Sequence, residues 1–233
     1  MSKSIQSILF ALIVAVLCSL LLTAATIGLK PRQIQNAILD KQTNILKAVG
    51  LVDDNQTYSR ETIEKMYQAF IQQVTVDQNG MKQSDHSNGL PLYLYIKGDV
   101  IQGYIIPINT KGLWGPIEGY LAIQNDGTTI SGFTVVGHQE TPGLGGEIEK
   151  KWFQKNFINK KIVDQEGHFT AITVAKGSLK DTIPNEKQAH YVDGISGATL
   201  TGAFLSKGFK EILANYESIS IKFRQHSFRI QTQ

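Results

Sequence analysis

Twenty-six consecutive residues, Ser4 to Leu29, carry no charge. A helix rises 1.5 Å per residue, so roughly 20 apolar residues cross a bilayer core. This run is long enough to span with tilt. A cleaved signal peptide is the competing reading, with Thr23-Ala24-Ala25-Thr26 as its small-residue exit. Its apolar part is typically about 7–15 residues, shorter than this one. The run therefore reads as an uncleaved anchor helix over 8–29, after a short segment 1–7. Lys3 flanks one side and Lys30 with Arg32 the other, so the positive-inside rule leaves orientation tied.

The chain beyond the anchor must fold in water, and composition narrows how. Lys and Arg exceed Asp and Glu by 23 − 20 = 3, which argues against a nucleic-acid binder, a class that normally shows a concentrated basic face. Cys18 is the one cysteine, and it lies inside the anchor. A disulfide framework, a zinc–thiolate site and a cluster ligated by this chain alone are excluded. No metal-ligand set and no self-sufficient catalytic set is read.

Pro31 to Val49 reads as a helix, with Ile34, Ile38, Ile45 and Val49 near helical spacing. A second helix is predicted after Ser59, with Ile63, Met66, Phe70 and Val74 as its apolar stripe. The polar segment 77–89, which contains His86, reads as a loop. Strands are predicted over 92–96, 100–108, 117–124 and 128–137, with turns at Lys97-Gly98-Asp99 and Asn125-Asp126-Gly127. This meander predicts an antiparallel sheet. Residues 147–158 read as a helix with Ile148, Trp152, Phe153 and Phe157 on one side. A strand is predicted over 169–175, and a last helix over 200–216 with Leu205, Phe209, Ile212, Leu213 and Tyr216 buried. The tail 217–233 reads as solvated or strand-like. The fold class is α+β: an N-terminal transmembrane helix, then a soluble domain with an antiparallel sheet and flanking helices. The expected divisions are the anchor 8–29, a helical connecting region 30–89, the α+β domain 90–216 and the tail.

Two stretches carry chemistry. Asp193-Gly194-Ile195-Ser196-Gly197-Ala198-Thr199-Leu200-Thr201 precedes the last helix. Small residues let backbone N–H groups approach a ligand, and a helix N-terminus supplies unpaired donors and partial positive charge. Hydroxyls of Ser196, Thr199 and Thr201 crowd the same turn, so it suits a phosphate. An ordinary turn fits the same residues. So, formally, does a nucleophile elbow at Ser196, because Gly194-Ile195-Ser196-Gly197-Ala198 approaches Gly-x-Ser-x-Gly. An elbow needs a buried strand upstream, whereas 185–190 is polar. The second stretch, His138-Gln139-Glu140-Thr141-Pro142-Gly143-Leu144-Gly145, reads alone as a tight turn. Its His-x-Glu lacks the Pro-Cys-x-x-Cys partner of zinc deaminases.

Taken together, the two stretches resemble domains that carry FMN in phosphoester linkage to a threonine. Asp193 to Thr199 matches that family's Asp-Gly-x-Ser/Thr-Gly-Ala-Thr signature throughout. The resemblance implies covalent FMN on Thr199, with Asp193, Gly194, Ser196, Gly197 and Ala198 around the phosphate. It implies contacts from Thr141, Gly143 and Gly145, packing of Leu144 on the flavin ring, and Glu140 holding the turn. A phosphodiester carries about one negative charge, against roughly 1.5 to 2 for a phosphate monoester, so backbone donors suffice to hold it.

Over most of its length the chain is similar to C subunits of bacterial sodium-translocating NADH:quinone oxidoreductases. The anchor, Lys41-Gln42-Thr43-Asn44-Ile45-Leu46 and Gly112-Leu113-Trp114-Gly115 carry that similarity. The G subunits of ion-pumping ferredoxin:NAD⁺ oxidoreductases share both flavin stretches and are the alternative. The resemblance implies an electron-relay subunit of a multi-subunit membrane redox pump. It implies electron transfer toward ubiquinone, inner-membrane anchoring with the soluble domain in the periplasm, and a flavin transferase as maturation partner. The chain has no Gly-x-Gly-x-x-Gly nicotinamide fingerprint, which agrees with a relay role. A membrane-anchored serine hydrolase and an exported module that binds phosphate reversibly are the readings from other classes.

Overall fold

A computed structural model describes residues 2–77 and 89–229. The predicted 77–89 loop, with His86, lies almost wholly outside them. The chain divides into two compact units, one ending at Asp40 and the other beginning at Lys41.

Helix α1 spans Lys3–Ala48, and its residues up to Asp40 make up the first unit. Its apolar side chains from Ile5 to Leu29 are exposed, and it is long and apolar enough to cross a membrane. The hydroxyl of Thr26 donates to the Leu22 carbonyl at 2.8 Å, so the Thr23–Thr26 stretch stays helical. Two expectations are corrected. The helix does not restart at Pro31 but runs through it. Proline there removes one donor, and the carbonyl it frees lies at the polar end of the run, where water can satisfy it. Nor is the predicted stripe buried throughout: Ile34 and Ile38 are exposed, and burial begins at Ile45.

The second unit is built on five strands, β1 Ile71–Val76, β2 Leu90–Lys97, β3 Val100–Lys111, β4 Pro116–Gln124 and β5 Ile130–Gly137, paired antiparallel in chain order. The meander expected from the sequence is present, with one strand more. β1 was hidden because Val74 falls at helical spacing from Phe70. Instead, helix α2, Arg60–Phe70, ends there and the next residue begins the strand. The other end of α2 is as predicted: Ser59 caps it, accepting the Thr62 N–H.

Strand alternation gives the sheet two apolar faces. Leu94, Tyr104 and Ile123 share one register row, and all are fully buried. Helix α5, Thr199–Asn215, covers this face with Leu205, Phe209 and Leu213. The next row, Tyr93, Ile105, Ala122 and Gly132, faces the other way. There the end of α1 packs. The Thr134 hydroxyl donates to the Asn44 carbonyl at 3.2 Å, and Lys41 Nζ lies 5.2 Å from the Tyr93 ring centre. Hydrophobic burial at about 25 cal/mol per Å² of apolar surface makes these two layers the principal stabilising contact.

Other expectations are corrected here. Residues 147–158 are not one helix. A 3₁₀ turn over Gly145–Glu149 gives way at Lys150 to a five-residue helix α3, Lys151–Lys155. Ile148, Phe153 and Phe157 are buried as predicted, but Trp152 is exposed and donates to Glu147. The strand expected over 169–175 shrinks to β6, Thr173–Val174, which pairs in parallel with β7, Tyr191–Val192. Ala171 adopts φ 59°, which interrupts the extended run just before it. The tail is not solvated at its start. It forms α6, Glu217–Arg224, with Ile219 and Phe223 buried, and Ser220 accepts the buried Tyr104 hydroxyl at 2.8 Å. A short helix, α4, Leu179–Thr182, lies between β6 and β7.

Two positions yield predictions. Gly208 brings α5 against β3 so closely that an added Cβ would lie 1.9 Å from Thr110 Oγ1 and 2.3 Å from Thr110 Cβ. Alanine ordinarily stabilises a helix interior by about 1 kcal/mol relative to glycine. Here overpacking of about 1–3 kcal/mol outweighs that gain. Gly208→Ala is expected to lower the thermal midpoint, and a raised midpoint would refute the close approach.

Asp126 organises the β4–β5 turn, accepting the N–H of Thr128 and Thr129, each at 2.8 Å, and both hydroxyls. Burial by itself raises its pKa, but the bonds from Thr129 and Thr128 outweigh it and hold the carboxyl below its ordinary 3.8. A depressed folded-state pKa contributes stability above the unfolded value, which is lost as pH falls through the folded value. The stability gap between wild type and Asp126→Asn is expected to be full at pH 6 and to shrink below about pH 4. Thermal melts across that range check it; a constant gap would disprove it.

Candidate functional site

Three loops meet at the start of α5. The first is the β3–β4 turn, where Gly112 N–H donates to the Gly115 carbonyl at 2.8 Å and presents Leu113 and Trp114 outward. The second follows β5, and the third is the Ser196-Gly197 turn before α5. Gly197 takes φ +74°, a conformation that favours glycine, and a Cβ there would lie 2.9 Å from Leu144 Cδ2. The two predicted stretches therefore touch.

Between the loops lies a cleft of about 330 Å³ lined by Leu113, Trp114, Glu140, Thr141, Leu144, Gly145, Gly197, Ala198, Thr199, Leu200 and Thr201. Thr199 is exposed and is the first residue of α5. The helix has no side-chain cap, and its first bond runs from Gly202 N–H to the Ala198 carbonyl at 3.1 Å. The amides of Thr199, Leu200 and Thr201 are thus the open donors of the helix start. Such an end favours an anion by about 0.3–1 kcal/mol. Around it Leu113, Trp114, Leu144 and Leu200 are 40–67% exposed, an apolar rim beside a polar floor. This combination suits a ligand with a phosphate at one end and a flat apolar body at the other.

Of the predicted residues, Glu140, Thr141, Leu144, Gly145, Gly197, Ala198 and Thr199 line the cleft. Asp193, Gly194, Ser196 and Gly143 lie outside its lining. Asp193 accepts the Leu179 N–H at 2.8 Å and so secures the start of α4. Gly194 permits close passage, because a Cβ there would meet the Ala175 carbonyl oxygen at 2.2 Å. Ser196 is exposed. It is not among the residues of positive φ, and the strand before it is only Tyr191–Val192. The backbone strain of a nucleophile elbow is missing.

Thr201 corrects the expectation of three hydroxyls crowding one phosphate. It is 2% exposed and donates to Glu140 Oε2. Glu140, 4% exposed, also accepts Leu113 N–H at 2.8 Å and Trp114 N–H at 3.1 Å through Oε1. Its own N–H donates to His138 Nδ1 at 3.1 Å, which leaves Nε2 to face Glu149 at 3.3 Å. Lys150 first, and His138 second, hold the Glu149 carboxyl below its usual range. Leu113, Trp114 and Leu200 are cleft residues that the sequence pattern did not assign to the site. For Trp114 the sequence offers one sign, a tryptophan in a glycine-flanked turn, but its exposure beside Thr199 is visible only in the structure.

Among the described residues, Asp164, Glu166 and His168 bring three ligand-capable atoms together on a separate, largely exposed turn. Asp164 accepts the backbone N–H groups of Glu166 and His168, which accounts for the cluster as turn geometry.

Comparison with known proteins gives consistent findings. The FMN-binding domain family matches residues 112–216, which include all three loops. The chain is 33% identical over 228 residues to the C subunit of the Na⁺-translocating NADH-quinone reductase of Vibrio anguillarum, covering 86% of this chain and 87% of that one. It superposes on the crystal structure of the corresponding C subunit from Parabacteroides distasonis with a TM-score of 0.70 at 29% identity, covering 82% of this chain and 96% of the other. The Shewanella oneidensis NqrC structure, at 20% identity and a TM-score of 0.68, covers 80% and 97% and shares the fold.

Proposed function

The chain belongs to the family of C subunits of Na⁺-translocating NADH-quinone reductases, and from that premise we propose that it holds FMN as a phosphodiester on Thr199 and relays electrons within the pump. The observation that carries this reading is Thr199 itself, an exposed hydroxyl at an uncapped helix start beside an apolar cleft.

The residues present fit the group. The open amides at the start of α5 face the phosphate, and a single negative charge there needs no cationic side chain. Leu113, Trp114, Leu144 and Leu200 would offer apolar surface to the ring, and the missing side chain at Gly197 leaves room for Leu144 against the turn. Thr141 and the backbone at Gly145 would supply polar contacts to its edge, while Gly143, outside the lining, shapes the turn between them with φ 74°. Asp193, Gly194, Ser196 and Ala198 shape the turn that carries Thr199. In attachment, Thr199 Oγ forms a bond to the flavin-side phosphorus of FAD. AMP leaves with the bridging oxygen, and the hydroxyl proton passes to a base of the flavin transferase. When bound, FMN accepts and donates electrons one or two at a time. The chain's part is to fix its position and to keep it from diffusing away.

On this reading the chain is an electron carrier between other subunits, toward ubiquinone, with no complete active site of its own. Residues 8–29 anchor it in the inner membrane, and the unit that begins at Lys41 holds the cofactor on the periplasmic side. A G subunit of the ferredoxin-linked pumps would share the two stretches. The match over 86% of the chain to a quinone-reductase relative favours the first assignment. The test is an intact mass of the denatured full chain, co-expressed with its flavin transferase. A gain of about 440 Da, FMN less water, on a peptide containing Thr199 is expected. An unmodified mass, with the transferase active on a control substrate, would overturn the reading.

A further inference from the structure

Glu140 is a buried carboxylate whose partners are all neutral. Two are main-chain N–H groups of the Leu113–Trp114 turn, at 2.8 and 3.1 Å, and the third is the Thr201 hydroxyl on α5. Glycines enclose it. A Cβ on Gly112 would lie 2.5 Å from Oε1, and one on Gly145 would lie 2.6 Å from Oε2. Leu113 and Trp114 are themselves exposed, so burial does not hold them in place. Among the described residues, the hydrogen bonds that tie this turn to the far wall of the cleft run through this side chain.

We propose that Glu140 is the positioning residue of the site. It clasps the Trp114 turn to the first turn of α5, and so sets the width of the slot beside Thr199 without itself touching the flavin. Its functional consequence rests on the reading of Thr199 as the flavin carrier; the clasp does not. A cleft open on one side would otherwise widen by movement of an exposed turn, and the ring would lose one apolar wall. The carboxylate suits the task because its two oxygens accept from both walls at once.

The test starts with hydrogen exchange on the unmodified full chain in detergent. The Leu113 and Trp114 amides should exchange at least about tenfold more slowly than unpaired surface amides, and the protection should vanish in Glu140→Ala. In a Trp152→Phe background Trp114 is the sole tryptophan. Its fluorescence anisotropy should fall about twofold in Glu140→Ala and in Gly112→Ala, whose methyl group wedges the turn off Oε1, because a released turn moves on the nanosecond scale. Glu140→Gln should stay near wild type, since its amide can accept from both N–H groups and donate to Thr201. Phe157→Leu, which loosens the core elsewhere, should leave Trp114 unmoved.

Unprotected amides in the wild type would overturn the proposal even if neither variant folds. So would Trp114 anisotropy that is unchanged in the variants that do fold, or that falls equally in Phe157→Leu. In flavinylated chains, Glu140→Ala should keep the covalent mass but shift the bound flavin's emission. If the wild type gains no mass, the Thr199 reading fails, while amide protection still judges the clasp.

Discussion

Replacing Thr199 with alanine is expected to abolish covalent flavin completely, because on the proposed reading the substitution removes the one atom that would form the phosphoester. The effect is all or none: no other side chain can substitute unless it presents a hydroxyl at the same point. Ser196 is exposed three residues before it, but it sits on the turn rather than on the helix start. Thr201 is buried with its hydroxyl committed to Glu140. Ser196→Ala should therefore keep the flavin, and Thr199→Ser should keep it at reduced yield. In-gel flavin fluorescence after denaturation, with intact mass, checks all three. Flavin retained in Thr199→Ala would move the site elsewhere. The fold should survive, since the Thr199 side chain makes no hydrogen bond that caps α5.

Phe157→Ala is expected to cause the largest loss of stability. Phe157 is fully buried and meets three rings: Phe133 at 4.6 Å, Phe153 at 5.4 Å and Phe209 at 5.4 Å between centroids. These rings join β5, α3 and α5, so the cavity would open where three elements converge. A phenylalanine-to-alanine change in a core costs about 3–5 kcal/mol. For a unit of this size that lowers the thermal midpoint by on the order of 10 °C. Melting of the full chain in detergent measures it. A fall of a degree or two would mean that the cluster repacks and is not the keystone of the layer. Because the cluster lies under α5, the destabilised chain should also accept flavin less completely at high temperature than at low.

The meander was legible because each strand has its own local signature. Alternation at β4 and β5 and the Asp126-Gly127 turn act within a few residues, and so does the Ser59 cap of α2. Errors arose where two local signals competed and a distant contact decided. Val74 suits a helix stripe and a strand equally, and pairing with Leu92 on β2 made it a strand. Residues 217–224 look polar in series, yet Ile219 and Phe223 find the sheet, and Tyr104 supplies a partner for Ser220. Pro31 predicts a break by its missing donor, but one lost bond is small beside the rest of a 46-residue helix.

The sequence by itself determined the long apolar helix, the antiparallel order of β2 to β5 and the two motif stretches, because these depend on composition, two-residue periodicity and short motifs. Only the tertiary structure decided that the Thr201 hydroxyl is committed while those of Ser196 and Thr199 stay exposed. Ser196, Thr199 and Thr201 are alike in series, and the hundred-degree turn per helical residue points Thr199 outward and Thr201 inward onto Glu140, 61 residues away in sequence. It likewise decided that Trp114 forms a wall of the cleft. Closing loops of that length is an event of the whole fold, and no local pattern of residues encodes where the two ends will meet.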